Sequence, residues 1–260
     1  MKLAEEKDTG RILEYLREGL QDCVYLYIDV INYGIATENM KVWFSEENGA
    51  IKLVVMKYYD SFQIYSENDG LDVDEVKALL VQYPVTMISG KKTLIEKLAG
   101  ECPEYEATYG VVFVMDKFRG MKSPVEILRA TESDTYEIAK LICTDDEIGR
   151  HYQVDNLAAQ LTERINTETG RSYIIRQDGK IVAHSATYAE AEGIAVVGGT
   201  IIDEAYRDKN YYILLSNYML QELDKERKVA YTFSLSDKMI QYHSRMHTKC
   251  GEYGKLVRQS

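Results

Sequence analysis

The stretch GGTIIDEAYRDKNYYILLSNYMLQEL, Gly198 to Leu223, decides how this chain is read. Its opening is rich in β-branched and apolar residues, its middle is polar, and its end places Tyr211, Leu214, Leu215 and Tyr218 at helical spacing. That grammar predicts a strand, a short turn and a helix with one apolar face. The turn RDKNYY, Arg207 to Tyr212, falls where the free N–H groups and dipole of a helix N-terminus can hold an anion such as a pyrophosphate. It contains no glycine, the residue that lets a backbone approach a ligand closely.

Outward from this stretch, the same order of elements occurs twice. DTGRILEYLREGL places Ile12, Leu13, Leu16 and Leu20 on one helical face, and TESDTYEIAKLI does the same with Ile138, Leu141 and Ile142 behind a Thr131 or Ser133 cap. Hairpin signals follow at Asn48-Gly49 and Asp178-Gly179, each leading to a third strand, one after Tyr59-Asp60 and one near Gly193. Both halves then give a helix, VDEVKALLVQY and YYILLSNYMLQEL, and after it a short strand and another helix, VTMISGKKTLIEKLA and YTFSLSDKMIQYHSRMH. Repetition of this length implies two similar domains, each an α/β (α+β) layer of a mixed, mainly antiparallel sheet flanked by helices. The seam is expected in FRGMKSPVEILRA, where Gly120, Ser123 and Pro124 interrupt a strand-like run, giving domains of 1–120 and 125–260.

Composition narrows the function classes. With 45% hydrophobic and 28% charged residues among 260, the chain is that of a folded protein, and it has no apolar run long enough to cross a bilayer. MKLAEEKDTG lacks the apolar core of a signal peptide, so a cytoplasmic setting is expected, with the four scattered cysteines reduced. The net charge of −11 divides as −8 over residues 1–120 and −3 over the remainder. A nucleic-acid or anionic-membrane partner would need a basic face, so neither is expected, whereas a small anion in the second half is compatible with the charge. A homo-oligomer is compatible with the sequence.

The residues of the central stretch resemble the GCN5-related N-acetyltransferase (GNAT) family. That family's signature is a strand, then R/Q-x-x-G-x-G/A, then a helix, and this chain reads Arg207, Asp208, Lys209, Asn210, Tyr211, Tyr212. TIIDEAYRDKNYY also follows the family pattern V-x-T-x-P-x-Y-R-G-K-G-Y-A in its strand, its Tyr206-Arg207 pair and its Lys209. The resemblance covers about 125–255 by motif and 1–120 by repeated architecture, so the chain looks like a tandem-domain member with a degenerate first half. It implies acetyl-CoA as cosubstrate, its pyrophosphate at 207–212 and its pantetheine arm paired with the backbone of Thr200, Ile201 and Ile202. The chain departs from the pattern where the family's loop glycines become Asn210 and Tyr212 and a small position becomes Asp208. Asn210 is a tolerable replacement because asparagine visits the left-handed region at modest cost.

The resemblance also implies a direct transfer of the acetyl group to an amine acceptor, with a base for the amine proton and an acid near the leaving thiolate. The family's Y-x-x-x-G-F pattern falls on YHSRMHTKCG, which makes His243 the candidate acid and Tyr242 the candidate after a one-residue shift. Glu190 and Glu192, before the central strand, and Asp203 and Glu204, after it, are the carboxylates available as a base, with Glu192 preferred. Ser236-Asp237 reads as a helix cap. His243 and His247, at i and i+4, face the same way on a helix and with Cys250 invite a metal reading, but no fourth ligand accompanies them, so no metal is expected. The alternative is a fold that binds a metabolite or a protein partner without catalysis.

Overall fold

The computed structural model describes residues 1–259 apart from 36, 38, 39, 119–121, 146–148, 150 and 151. The expected interruption at Gly120 therefore lies outside the described residues. The chain divides into two compact units, 1–113 with 233–260, and 114–232.

The first unit carries strands β1 (Lys2–Leu3), β2 (Met40–Glu47), β3 (Ala50–Tyr58), β4 (Ser61–Tyr65), β5 (Met87–Lys91) and β6 (Tyr105–Val114). Its helices from the first half are α1 (Thr9–Glu18), α2 (Leu20–Tyr33), α3 (Val73–Gln82) and α4 (Lys92–Ala99). In the second unit lie β7 (Leu128–Arg129), β8 (Arg171–Gln177), β9 (Lys180–Ala191), β10 (Ile194–Ile202) and the start of β11 (Val229–Ser234), with α5 (Thr135–Ile142), α6 (Val154–Asn166) and α7 (Tyr211–Lys225). The chain closes with α8 (Asp237–Met246) and β12 (Thr248–Arg258), which pack in the first unit.

The strand order is β1-β2-β3-β4-β5-β12-β6 in the first unit and β11-β10-β9-β8-β7 in the second. Hairpin neighbours are antiparallel, while β4 with β5 and β10 with β11 run parallel, because a helix crosses over between them. Both hairpin turns place their residues left-handed, Asn48 with Gly49 and Asp178 with Gly179, the geometry that matches strand twist. Helices cover both faces of each sheet, so its strands are apolar on both sides. In the first unit Val42, Phe44, Val54 and Met56 meet α1 and α2, and Trp43, Leu53, Val55, Phe62 and Ile64 meet α3 and α4. In the second, Tyr173, Ile175, Ala183 and Val197 pack under Leu214, Leu215 and Met219 of α7, while Ile174, Ile181 and Ile201 pack under α5 and α6.

Three features depart from the sequence reading. Second helices, α2 and α6, follow each opening helix; α2, LQDCVYLYIDVINY, is rich in valine, isoleucine and tyrosine, so its local preference is for strand and tertiary burial overrides it. The boundary of 1–120 against 125–260 follows chain order, but packing returns 233–260 to the first unit. There β12 pairs antiparallel with β5 from Tyr253↔Lys91 to Val257↔Met87, giving β5 a partner on its second edge, and the Cys250 thiol donates to the Val112 carbonyl at 3.4 Å. Finally, Ser236 stands at the N-cap of α8, yet its side chain makes no capping bond.

Candidate functional site

The second unit's central strand is irregular where the sequence places the pantetheine-binding backbone. The ladder from β10 to β11 runs from Ile194↔Val229 to Val197↔Thr232 and stops. Among the described residues, 198–202 thus have no β11 partner in the ladder. On the other side the register with β9 shifts twice, once leaving Tyr188 as an extra residue and once leaving an extra residue of β10 between Gly198↔Ala186 and Ile201↔His184. Gly199 takes φ +61° in this bulge, and a Cβ there would lie 1.9 Å from the Tyr188 hydroxyl, so glycine is required for conformation and for space. Three contacts brace the bulge: the Tyr188 ring lies against Gly198 and Gly199, Ser185 and Thr200 share a hydroxyl hydrogen bond of 2.7 Å, and His184 Nδ1 lies 2.9 Å from the Gly199 carbonyl.

Beyond Ile202 the chain turns at Asp203, whose carboxylate accepts from the Ala205 N–H at 2.9 Å. Residues Glu204–Lys209 then wind as a 3₁₀ helix that ends on Asn210 in the left-handed region, φ 59°, ψ 22°. Helix α7 starts at once with Tyr211, which is buried and stacks on Tyr206 at 6.2 Å, so this aromatic is turned into the core. The start of α7 is electrostatically bare: Asn210 makes no side-chain capping bond, and its first turn holds no acidic residue. Arg207 and Lys209 stand exposed beside it, with Lys209 Nζ 3.4 Å from the Asp208 carboxylate on the surface. Such an end can receive an anion through the N–H groups of its first turn and its dipole, with two cations in reach and one carboxylate opposing.

The structure thus brings Thr200, Ile201, Ile202, Arg207, Asp208, Lys209, Asn210, Tyr211 and Tyr212 together around the end of β10 and the start of α7. It does not bring Glu192 there. Glu192 is exposed in the turn before Ile194, at the opposite end of β10, roughly 25 Å of strand from Thr200. Glu190 is buried and held in an ion-pair network: Arg171 reaches it at 2.5 Å and Lys228 at 2.6 Å, Thr187 also donates to it, and Arg171 continues to Glu226. Burial opposes its ionisation, but these partners outweigh burial and keep Glu190 below the usual carboxylate range. It is committed to the packing of β8, β9 and β11.

His243 and Tyr242 sit on α8 in the first unit. His243 is only 3% exposed, bonded through Nδ1 to the Ser234 hydroxyl at 2.7 Å and set against Phe113. Burial, with His247 adding to it, pulls its imidazole down to about 4, so it is neutral near pH 7 and cannot donate a second proton there. Tyr242 is half-buried, and burial raises its phenol, which keeps the proton. His247 lies 5.8 Å from His243 ring to ring, and no group of three or more metal-ligating side chains occurs among the described residues. No helix among them is long and apolar enough to cross a membrane.

Sequence reading missed the residues that shape the bulge, His184, Tyr188 and Ser172. The available signal was a histidine in the middle of the apolar run IVAHSATY, where a polar ring needs partners.

No protein-family model and no curated protein sequence matches the chain. Solved structures do match. A Drosophila protein is similar over 99% of this chain and 98% of its own, at 13% identity and a TM-score of 0.70. A tandem GNAT protein from the clavulanic acid biosynthesis pathway is similar over 97% and 94%, at 10% identity and a TM-score of 0.59. A GNAT-family acetyltransferase from Colwellia psychrerythraea is similar over 99% of both chains, at 10% identity and a TM-score of 0.56. At these identities the likeness is one of architecture: the chain has the tandem acyl-CoA N-acyltransferase fold of GNAT proteins.

Proposed function

We propose that the chain is an acetyl-CoA-dependent N-acyltransferase whose cofactor site lies in the second unit. The observation that carries this reading is the junction of a strand edge at 198–202, without a β11 partner in the ladder, with an uncapped, non-acidic helix start at Asn210 and Tyr211. The edge offers backbone pairing to an extended arm through Thr200, Ile201 and Ile202. The helix end offers N–H groups to a pyrophosphate, with Arg207 and Lys209 adding positive charge. The acceptor is an amine, in keeping with an acidic chain of net charge −11. In direct transfer the amine nitrogen forms a bond to the acetyl carbon, the carbon–sulfur bond breaks, the amine loses a proton to a base, and the thiolate takes one from an acid. For the acid, the sequence pattern offers His243 and Tyr242, and the proton-bearing phenol of Tyr242 suits the role better than the neutral imidazole.

A second reading, a fold that binds without transferring, is favoured by the glycine-free loop, in which Asp208 stands beside Lys209. Isothermal titration with acetyl-CoA, paired with a thermal-shift curve, tests the cofactor reading. The expected result is micromolar binding at one site per chain with a rise in apparent stability. Absence of binding at millimolar ligand would overturn it. Binding without acetylation of any amine in a broad acceptor screen would favour the second reading.

A further inference from the structure

The half-buried cations of the second unit are held by carboxylates, with Arg164 the exception among the described residues. Arg171 pairs with Glu190 and Glu226, Arg176 with Asp134 and Glu137, and Lys228 with Glu190 and Glu226. Arg164, on α6, is half-buried as they are, yet no carboxylate among the described residues pairs with it. Its guanidinium stands instead over the Tyr188 ring, 5.2 Å from the centroid. A ring face attracts a cation without neutralising it, and burial raises the Tyr188 phenol, which therefore keeps its proton and stays uncharged. A guanidinium drawn partly out of water with no counter-ion is poised to take an anion, and its planar fork matches a carboxylate.

The position of this cation gives it a use. Tyr188 is the extra residue of β9 at the bulge, and its ring lies against Gly198 and Gly199. Arg164 is thus one aromatic ring away from that backbone, within roughly 10 Å. In the cofactor reading the pyrophosphate sits at the start of α7 and the arm runs back along Ile202, Ile201 and Thr200, which brings its thioester end toward the same two glycines. The gap between guanidinium and thioester is then about the span of a short amino acid, with its carboxylate on the fork and its amine at the acyl carbon. In a chain of net charge −11 a carboxylate is repelled at long range, so an acceptor that carries one needs such a local cation.

We propose that the amine acceptor is a free amino acid and that Arg164, carried on the Tyr188 ring, binds its carboxylate. The nitrogen bonds to the acetyl carbon, the carbon–sulfur bond breaks, the amine proton goes to a base and the thiolate takes one from an acid. The carboxylate is unchanged, and the products are an N-acetylated amino acid and CoA. This inference rests on the cofactor reading above, and it adds the acceptor class and the side chain that selects it.

The test compares a panel of amino acids with their amides, which keep the amine and lack the carboxylate charge. CoA release from acetyl-CoA is followed with full-length wild type, Arg164→Gln and Arg164→Lys, and rates are referred to the neutral amine because acid and amide differ in amine pKa. Wild type should favour the best amino acid over its amide by tenfold or more in kcat/KM, the size of one charge-assisted bidentate contact. Arg164→Gln should bring that ratio to within about twofold of unity, and Arg164→Lys, which keeps the charge without the fork, should retain an intermediate preference. In a readout independent of turnover, the same amino acids added to wild type with CoA should shift the Arg164 Nε–H resonance, and the amides should not. Equal use of acids and amides by wild type, an unchanged ratio in Arg164→Gln, or acetylation of neither panel by wild type that binds acetyl-CoA would overturn the proposal. The wild-type ratio and resonance decide the matter even where Arg164→Gln fails to fold. Wild type that does not bind acetyl-CoA would instead remove the cofactor reading, and this inference with it.

Discussion

In the first unit β4 and β5 stay paired from Ser61↔Met87 to Ile64↔Gly90, one residue short of the end of β4, whereas in the second unit β10 runs five residues past its last β11 partner. The segments that follow differ in the same sense. After β4, Asp69 is bound by Lys91 at 2.9 Å and by Thr93 at 2.8 Å, and Lys97 reaches its carbonyl at 2.6 Å, so the loop is stapled to the end of β5 and to α4. Asp72 then caps α3 through the Glu75 N–H at 3.1 Å, with Asp74 and Glu75 in the first turn. The positive end of α3 is thereby neutralised by the chain's own carboxylates, while the first turn of α7 holds none. One topology supports a sealed parallel pair and an open one, and loop charge together with the length of pairing decides which.

Acid should have the largest effect, and it acts in both units. His184 in the second and His243 in the first are held near 4 by burial, against an ordinary value near 6.5. Between those values the unfolded chain binds more protons than the native one, so stability is full above about pH 6.5 and is lost as pH falls toward 4. Each imidazole contributes on the order of 3 kcal/mol across that window. Denaturant titrations at pH 7 and pH 4.5 should show the loss, and His243→Phe should shrink it while leaving the share of His184. A flat profile between these pH values would mean that neither ring is kept neutral by the fold. The carboxylate Glu226, pulled to about 2 mainly by its bond from Arg171, contributes in the separate window below about pH 4.5, where protonation removes that pairing.

Sealing of the first unit depends on Gly90. A Cβ at Gly90 would stand 2.4 Å from the Ile64 carbonyl oxygen, too close for any rotamer to relieve. The fourth pair in the second unit, Val197↔Thr232, carries side chains on both strands. Gly90→Val should therefore cost about 3 kcal/mol, read as a shift of the denaturation midpoint at unchanged slope. A change below about 0.5 kcal/mol would show that β4 and β5 part easily and that the contrast between the units is shallow.

Charge at the open end is the next lever. Arg207→Ala with Lys209→Ala should weaken acetyl-CoA by about tenfold to a hundredfold, since two charge-assisted contacts to phosphate are lost. Stability should move by less than about 0.5 kcal/mol, because both residues sit on an exposed turn. Unchanged affinity would remove 207–209 from the site and leave the open edge without a phosphate partner.

Much of this contrast was legible before any coordinates. The two hairpin turns, the strand from Ile194 and the helix from Tyr211 follow from local chemistry, and so does the acidic character of SENDGLDVDE. What was hidden depends on partners distant in sequence. Nothing local to TKCGEYGKLVR says that β12 pairs with β5, some 160 residues earlier. Helix α2 was masked by its β-branched and aromatic content, and Glu192, preferred as a base before the central strand, is separated from the loop by the full length of β10. His184 meets a carbonyl 15 residues away, across a bulge that no periodicity announces.

The smallest effect tests what the missing glycines mean. Asn210 already adopts φ 59°, ψ 22°, so the backbone that a glycine would permit is present without one. Asparagine enters this region at less cost than other side chains, and glycine in its place would gain a little native-state ease while losing more entropy on folding. These terms oppose each other, so Asn210→Gly should change stability by no more than about 0.5 kcal/mol and leave acetyl-CoA affinity within about threefold. Asn210→Val, whose branched Cβ resists a positive φ, should destabilise by about 1–2 kcal/mol and weaken binding as α7 loses its entry geometry. If Asn210→Gly instead raised affinity tenfold or more, the asparagine side chain itself would be obstructing the ligand, and the open end of the second unit would be partly closed by its own cap.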